Sequence, residues 1–266
     1  MSANILKFAA RGLESGRRVA LAAVTDVSGS APGTVGAMMA VCDDGTQAGT
    51  IGGGAVEHDV LTRIGLAFAS GEGFEFDYDL GKGGGVGMVC GGRMKGYVSL
   101  LRPNRRLVIF GAGHIAQHVA TLAAHLPFDQ TVVDEREELR QSFADNVHFL
   151  AQTPAEAALS LTIDADTFIV IVNRSHALDN ETLRLVLGKP AAYIGMMGSR
   201  AKIADTGAKL AAEGFSAEDL GRVYMPIGLG ICDGTPMQIA FAIIAQILAV
   251  SNGADNIDVA KSRNST

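Results

Sequence analysis

The chain has 266 residues, with 33 glycines, no tryptophan and a formal net charge of −6, and its length suffices for one large or two modest domains, each with a core. The negative balance leaves no room for an unopposed basic face, which argues against nucleic-acid binding. Three cysteines with no Cys-x-x-Cys read as reduced thiols in a cytoplasmic protein.

In chain order, residues 2–18 read as an amphipathic helix with Ile5, Phe8, Ala9 and Leu13 on one face and no cleavable apolar core. Strands are expected at 19–27 and 36–41, around a Gly29-Ser-Ala-Pro-Gly33 turn, and Asp43-Asp-Gly45 closes a further turn. Thr50-Ile-Gly52-Gly53-Gly54 then leads into a helix over 55–69, and 74–80 and 95–101 alternate like strands. Arg102-Pro103-Asn104 is the expected linker between a domain at 1–102 and another at 105–266.

The second domain alternates strands (106–111, 130–134, 147–150, 167–173, 191–195, 222–225) with helices (114–125, 154–161, 178–188, 200–213, 236–250). The expected fold class is α/β: a small N-terminal α/β domain, then a Rossmann-like, doubly wound parallel-sheet domain. The apolar run at 239–250 is too short to span a bilayer and is interrupted by Gln246, so no membrane contact is expected.

The stretch Arg106-Leu-Val-Ile-Phe-Gly111-Ala-Gly113-His114-Ile115-Ala116, followed by Thr131-Val-Val-Asp134, carries the most chemistry. Its apolar run, glycine turn, helix and second apolar run ending in an acid follow the order of a dinucleotide-binding βαβ unit, with Asp134 lying 21 residues after Gly113. Gly111 would permit the tight turn and Gly113 the approach of a pyrophosphate, with His114 and Ile115 at the helix start. Asp134 favours a free ribose 2′-hydroxyl, as in NAD, whereas Arg136 would admit the 2′-phosphate of NADP.

Other candidates each admit a plainer reading. Gly52 and Gly53 precede a helix N-terminus that attracts anions, and Glu57 in its first turn serves either a ligand or the helix dipole. The segment 81–92 either wraps a polar ligand with its backbone N–H groups or is a flexible hairpin loop. Cys90 within it, followed by Gly91 and Gly92, offers a soft thiolate for a metal or a sulfur-bearing ligand. His176 follows a strand at a position where doubly wound sheets place ligand groups, or lies in a solvated loop. His114, His118 and His125 share a helix stripe, but Ile115 stands where a zinc protease has its glutamate, so no metal site is assigned there. The Gly/Pro loop at 226–236 precedes the last helix, with Thr235 as N-cap and Pro236 in its first position.

Taken in order, these motifs resemble the xanthine dehydrogenase accessory protein family of the XdhC/CoxI type. The resemblance runs through Gly29-Ser-Ala-Pro32, Thr50-Ile-Gly-Gly-Gly54 with Glu57, Cys90-Gly-Gly92, Gly111-Ala-Gly-His-Ile-Ala116, His176-Ala-Leu-Asp179, Tyr193-Ile-Gly-Met-Met-Gly-Ser-Arg200 and Pro226-Ile-Gly-Leu229. It implies a cytoplasmic accessory protein rather than a turnover enzyme: a chaperone that binds a molybdopterin-type molybdenum cofactor, works with a cysteine desulfurase, and passes the cofactor to apo xanthine dehydrogenase or a related molybdenum hydroxylase. A homodimer is expected, with Cys90 as the candidate contact to molybdenum. The chain departs from the family pattern at Gly33, where an arginine is common, at Asn173-Arg174-Ser175, and at Gly230 and Gln238, which implies a divergent paralogue or an altered ligand. The competing readings are an NAD(P)-dependent oxidoreductase, for which His176 is the one good proton donor and Tyr-x-x-x-Lys is lacking, and a nucleotide-sensing regulator.

Overall fold

A computed structural model describes residues 2–81, 91–198, 200–231 and 234–254, with backbone alone at 200–205. The chain divides into two units, residues 1–104 and 105–266.

The first unit begins with α1 (Ser2–Glu14). This helix stops short of Arg18 because Gly16 takes φ +77°, and the Gly16 and Arg17 N–H groups close back onto the carbonyls of Leu13 and Gly12. That is the Schellman arrangement, in which a left-handed glycine satisfies the last carbonyls of a helix. Strands β1 (Val19–Ser28), β2 (Met38–Cys42), β3 (Gln47–Gly49), β4 (Phe74–Asp79) and β5 (Arg93–Leu101) form an antiparallel sheet in the order β3-β2-β1-β5-β4.

Successive strand residues point to opposite faces, so this sheet is covered twice. Ala20, Ala22, Val24, Met39 and Val41 join Val56, Val60 and Ile64 of α2 (Gly54–Ser70) in one core. Val19, Ala40 and Cys42 join Ile5 and Ala9 of α1 in another. The sequence reading lacked β3, which is three residues long and has no apolar repeat to mark it.

The second unit contains β6 (Arg105–Phe110), α3 (His114–Ala123), β7 (Phe128–Val133), β8 (His148–Leu150), α4 (Pro154–Ser160), β9 (Thr167–Ile171), α5 (His176–Val186), β10 (Tyr193–Met196), α6 (Arg200–Ala212), α7 (Ala217–Gly221), β11 (Val223–Tyr224) and α8 (Pro236–Ser251). Its strands form a parallel six-stranded sheet in the order β11-β10-β9-β6-β7-β8. The chain starts at the central strand β6, walks outward to β8, then returns to β9 on the other side. The connections after β6 and β9 therefore leave in opposite directions, opening the crevice where doubly wound sheets hold ligands.

Ala116, Val119, Ala120 and Ala123 of α3 pack with Ala240, Ile243, Ile244 and Ile247 of α8 on one face of the sheet. Ala157 and Ala158 of α4, Leu183 and Val186 of α5, and Leu187 just after it cover the other face. Helix α5 starts two residues before the expected 178 because the Ser175 hydroxyl accepts the Leu178 N–H and caps it there. Thr235 caps α8, its hydroxyl accepting from the Gln238 N–H, with Pro236 in the first turn. Among the described residues no helix is long and apolar enough to cross a membrane.

Candidate functional site

The Rossmann unit places Gly111, Gly113, His114, Ile115, Asp134 and Arg136 together at the C-terminal ends of β6 and β7. The two glycines do different work. Gly111 takes φ +104°, and a Cβ there would overlap the Val172 carbonyl oxygen and lie 2.9 Å from Asn173 Cα, so it is required by the packing of the turn against the end of β9. Gly113 caps α3, and a Cβ built on it would meet nothing within 4 Å. The open space lies over the first turn of α3, where the leading N–H groups of a helix have no intrahelical acceptor. His114 is exposed, Ile115 half-buried, and Ala116 fully buried against the sheet.

Asp134 sits immediately after β7 with its side chain 8% exposed. Its Oδ2 accepts from the Ala112 N–H at 2.9 Å and from Arg136 Nη2 at 2.7 Å. Its Oδ1 accepts from the Arg136 N–H at 3.1 Å and from Arg136 Nε at 2.8 Å. The guanidinium fork closes side-on over the carboxylate, the strong bidentate form of this pair. Burial pushes the Asp134 pKa up, but the hydrogen bonds from Arg136 and Ala112 and the guanidinium charge outweigh it and hold the acid below the ordinary aspartate range.

Across the crevice, His176 opens α5, at the end of β9. Its Nε2 lies 3.4 Å from the amide nitrogen of Asn180, whose oxygen accepts from the Thr206 hydroxyl at 2.8 Å. Its buried Nδ1 has no hydrogen-bond partner among the described residues. Orphaned buried nitrogens are rare in folded proteins, and this one belongs to the helix that follows β9, in a fold class that holds ligands outside the carboxyl ends of its strands. Asp179 holds the same corner, accepting from the Asn173 N–H at 2.9 Å, while Arg174 pairs with Glu135 at 3.2 Å.

In the first unit, Gly52, Gly53, Glu57, Gly91 and Gly92 come together through the loop after β1. A Cβ on Gly52 would lie 2.7 Å from the Gly33 nitrogen, and one on Gly92 2.5 Å from the Ser30 carbonyl oxygen. Backbone therefore lies directly on backbone, and Gly33, the departure from the family's arginine, is part of this contact. Gly53 and Gly91, in contrast, face open space. Glu57 Oε2 accepts from the Ile51 N–H at 3.0 Å, the Gly53 N–H at 3.1 Å and the Thr50 hydroxyl. It fills the turn with a carboxylate of the protein's own. Next to this turn, a cleft of about 340 Å³ runs between α1 and the 32–38 loop, with Ile5, Pro32, Val35 and Met38 as its apolar lining and Thr34 and Thr50 as hydroxyls.

Cys90, with the rest of 82–90, and Cys232 lie outside the described residues. Cys42 is a buried free thiol in the core beneath α1. Among the described residues no group of three or more His, Cys, Asp or Glu could hold a metal ion.

The sequence reading took Gln246 only as a break in an apolar run, and the structure gives it a role. Gln246 is fully buried, and its Oε1 accepts from the Tyr193 hydroxyl at 2.6 Å and from the Gly228 N–H at 2.9 Å. It clamps the 226–229 loop between β10 and α8, and burial pushes the Tyr193 pKa well above its ordinary value. Gly228 itself packs on α8, where a Cβ would lie 3.2 Å from that of Ala242. A glutamine inside the apolar run 239–250 was the signal, because a buried amide needs partners.

Two family models match the chain: that of the XdhC and CoxI family at residues 12–79, and that of the XdhC Rossmann domain at residues 107–247. The chain is 34% identical over 94% of its length to YqeB of Escherichia coli (strain K12), described as uncharacterized, and spans about half (47%) of that relative. It is 26% identical over 93% of its length to the molybdenum cofactor insertion chaperone PaoD of the same organism, of which it covers 88%. A solved structure described as a xanthine dehydrogenase from Bacillus halodurans superposes with a TM-score of 0.52 at 21% identity, over 93% of this chain and 97% of that one, which is a likeness of fold.

Proposed function

The chain belongs to the XdhC and CoxI family, and from that premise we propose that it is a maturation chaperone that binds a molybdopterin-type molybdenum cofactor and delivers it to an apo molybdenum hydroxylase of the xanthine dehydrogenase type. A cysteine desulfurase is its second partner, and it works in the cytoplasm as a homodimer. The observation that carries this reading is the likeness to a molybdenum cofactor insertion chaperone along 93% of the chain.

When bound, such a cofactor supplies a phosphate at one end and an oxidation-sensitive molybdenum–dithiolene centre at the other. The residues of the Rossmann unit suit the phosphate end. Gly113 leaves room where a Cβ would meet nothing, and the first N–H groups of α3 face an approaching anion. His176, whose buried Nδ1 has no hydrogen-bond partner among the described residues, opens α5 after the neighbouring strand β9. Taken by itself, the first unit has interlocked turns at Gly33, Gly52 and Gly92, and Cys90, next to Gly91 and Gly92 in sequence, is the thiol proposed as a soft ligand.

The test is anaerobic purification followed by absorption spectra and mass spectrometry of the bound material. A copurifying pterin, and restored activity when the loaded protein is mixed with an apo molybdenum hydroxylase, are the expected results. A copurifying nicotinamide without pterin would replace this reading with the oxidoreductase one. Cys90→Ser should fold normally yet lose pterin retention and client activation; retention equal to wild type removes Cys90 from the site.

A further inference from the structure

The end of β7 is where a Rossmann unit reads ribose: an acid there accepts hydrogen bonds from the sugar hydroxyls. Asp134 stands at that position, but its carboxylate is already full. An ionised carboxylate offers about four lone-pair sites. Here Ala112 N–H, Arg136 N–H, Arg136 Nε and Arg136 Nη2 supply four donors at 2.7–3.1 Å, two to each oxygen. Two of the four come from one guanidinium fork.

We infer that Arg136 is a specificity-determining residue that closes the ribose subsite, so that this Rossmann unit rejects adenine dinucleotides bearing a free ribose diol. A diol could engage Asp134 only by displacing the fork. The remaining two donors are backbone N–H groups, one of which belongs to the glycine turn, so they stay when the side chain leaves.

The arginine does not thereby become a receptor for a 2′-phosphate. It is committed to Asp134, and the charges of Glu135 and Glu138 also act on it. A phosphate entering there would meet three carboxylates and would have to break the same fork. The unit is thus left with its open Gly113 turn and no working ribose reader, which suits a phosphate-bearing ligand that makes no demand on the end of β7.

The inference rests on the reading of the Rossmann unit as a ligand-binding half, but its test is independent of molybdenum cofactor retention. NAD⁺ and NADP⁺ are titrated by calorimetry into the full chain, wild type and Arg136→Ala. The variant should bind NAD⁺ about tenfold or more tighter than wild type, since a hydrogen bond to a charged acceptor is gained. NADP⁺ affinity should not rise, because the freed carboxylate repels the 2′-phosphate. Adding Asp134→Ala to Arg136→Ala should cancel the gain. Thermal melts check folding, and Arg136→Gln serves in place of the alanine variant if that one fails to fold. Equal NAD⁺ affinity in wild type and variant, including no binding in either, overturns the inference. So does a parallel gain for NADP⁺, which would mean a loosened site rather than an opened one.

Discussion

The two units each hold a glycine turn with an acid, and they do so by different means. In the first unit Glu57 reaches back seven residues from the helix that the turn introduces, and one oxygen collects two N–H groups and a hydroxyl. In the Rossmann unit Asp134 arrives from the neighbouring strand, 22 residues from the amide it holds, and brings a guanidinium with it. The first turn is a local device that forms with its own helix. The second is a tertiary device that exists only once β6 and β7 are paired. Glu57 occupies the Ile51 and Gly53 N–H groups and Asp134 the Ala112 N–H, groups that an anion would otherwise seek, and in the Rossmann unit the open turn at Gly113 is what remains.

The largest effect should come from Gly111→Val. Its left-handed backbone and the overlap with the Val172 carbonyl together cost more than about 3 kcal/mol, measured as a fall in the urea midpoint. A small effect would mean that the end of β9 yields, and that the Rossmann turn is not the more rigid of the two. Next comes Asp134→Ala, which strands the buried Ala112 N–H and its guanidinium partner, at about 2–3 kcal/mol. Glu57→Ala should cost less, about 1–2 kcal/mol, because its turn is nearer to water and the glycine-to-glycine contacts remain. The reverse order of these two would sink the distinction between local and tertiary devices.

Acid sharpens the same contrast. The folded state holds Asp134 ionised below the ordinary aspartate range, so its stabilisation is present above the unfolded pKa and is lost as pH falls through the region below about 4. The stability gap between wild type and Asp134→Asn should therefore narrow between pH 5 and pH 3 in paired urea titrations. A gap that widens on acidification contradicts the assignment. The smallest structural effect belongs to Gly113→Val, below about 1 kcal/mol, since the residue is extended and its Cβ enters empty space. Its pterin content by mass spectrometry should nevertheless fall to background.

What could be read from sequence was whatever repeats or sits close in the chain. The βαβ order, the helix over α2 and the cap at Thr235 were legible, because apolar period and cap chemistry are local signals. Strand β3 and helix α7, three and five residues long, gave too few residues for a period. Strand β7 starts at Phe128 rather than the expected 130, its first two positions hidden by the exposed, polar Asp129. The identities of the site acids were legible but their partners were not. Nothing in the spacing of Asp134 and Arg136 says that the arginine folds back onto the acid, and nothing near Glu57 says that it fills its own turn. Those facts depend on side-chain direction once the sheet or helix is built.

The pairing of α3 with α8 has a consequence for synthesis. The alanine and valine face of α3 is covered by residues 240–247, more than a hundred positions later in the chain. At about 5–20 residues per second, the ribosome delivers that cover roughly ten seconds after α3. Until then the face of β6 that carries Leu107 and Ile109 has α3 alone as its helical cover, while the opposite face is already receiving α4 and α5. The nascent unit is therefore a half-clad sheet for most of its synthesis, and a ribosome stalled anywhere before α8 would hold it in that state.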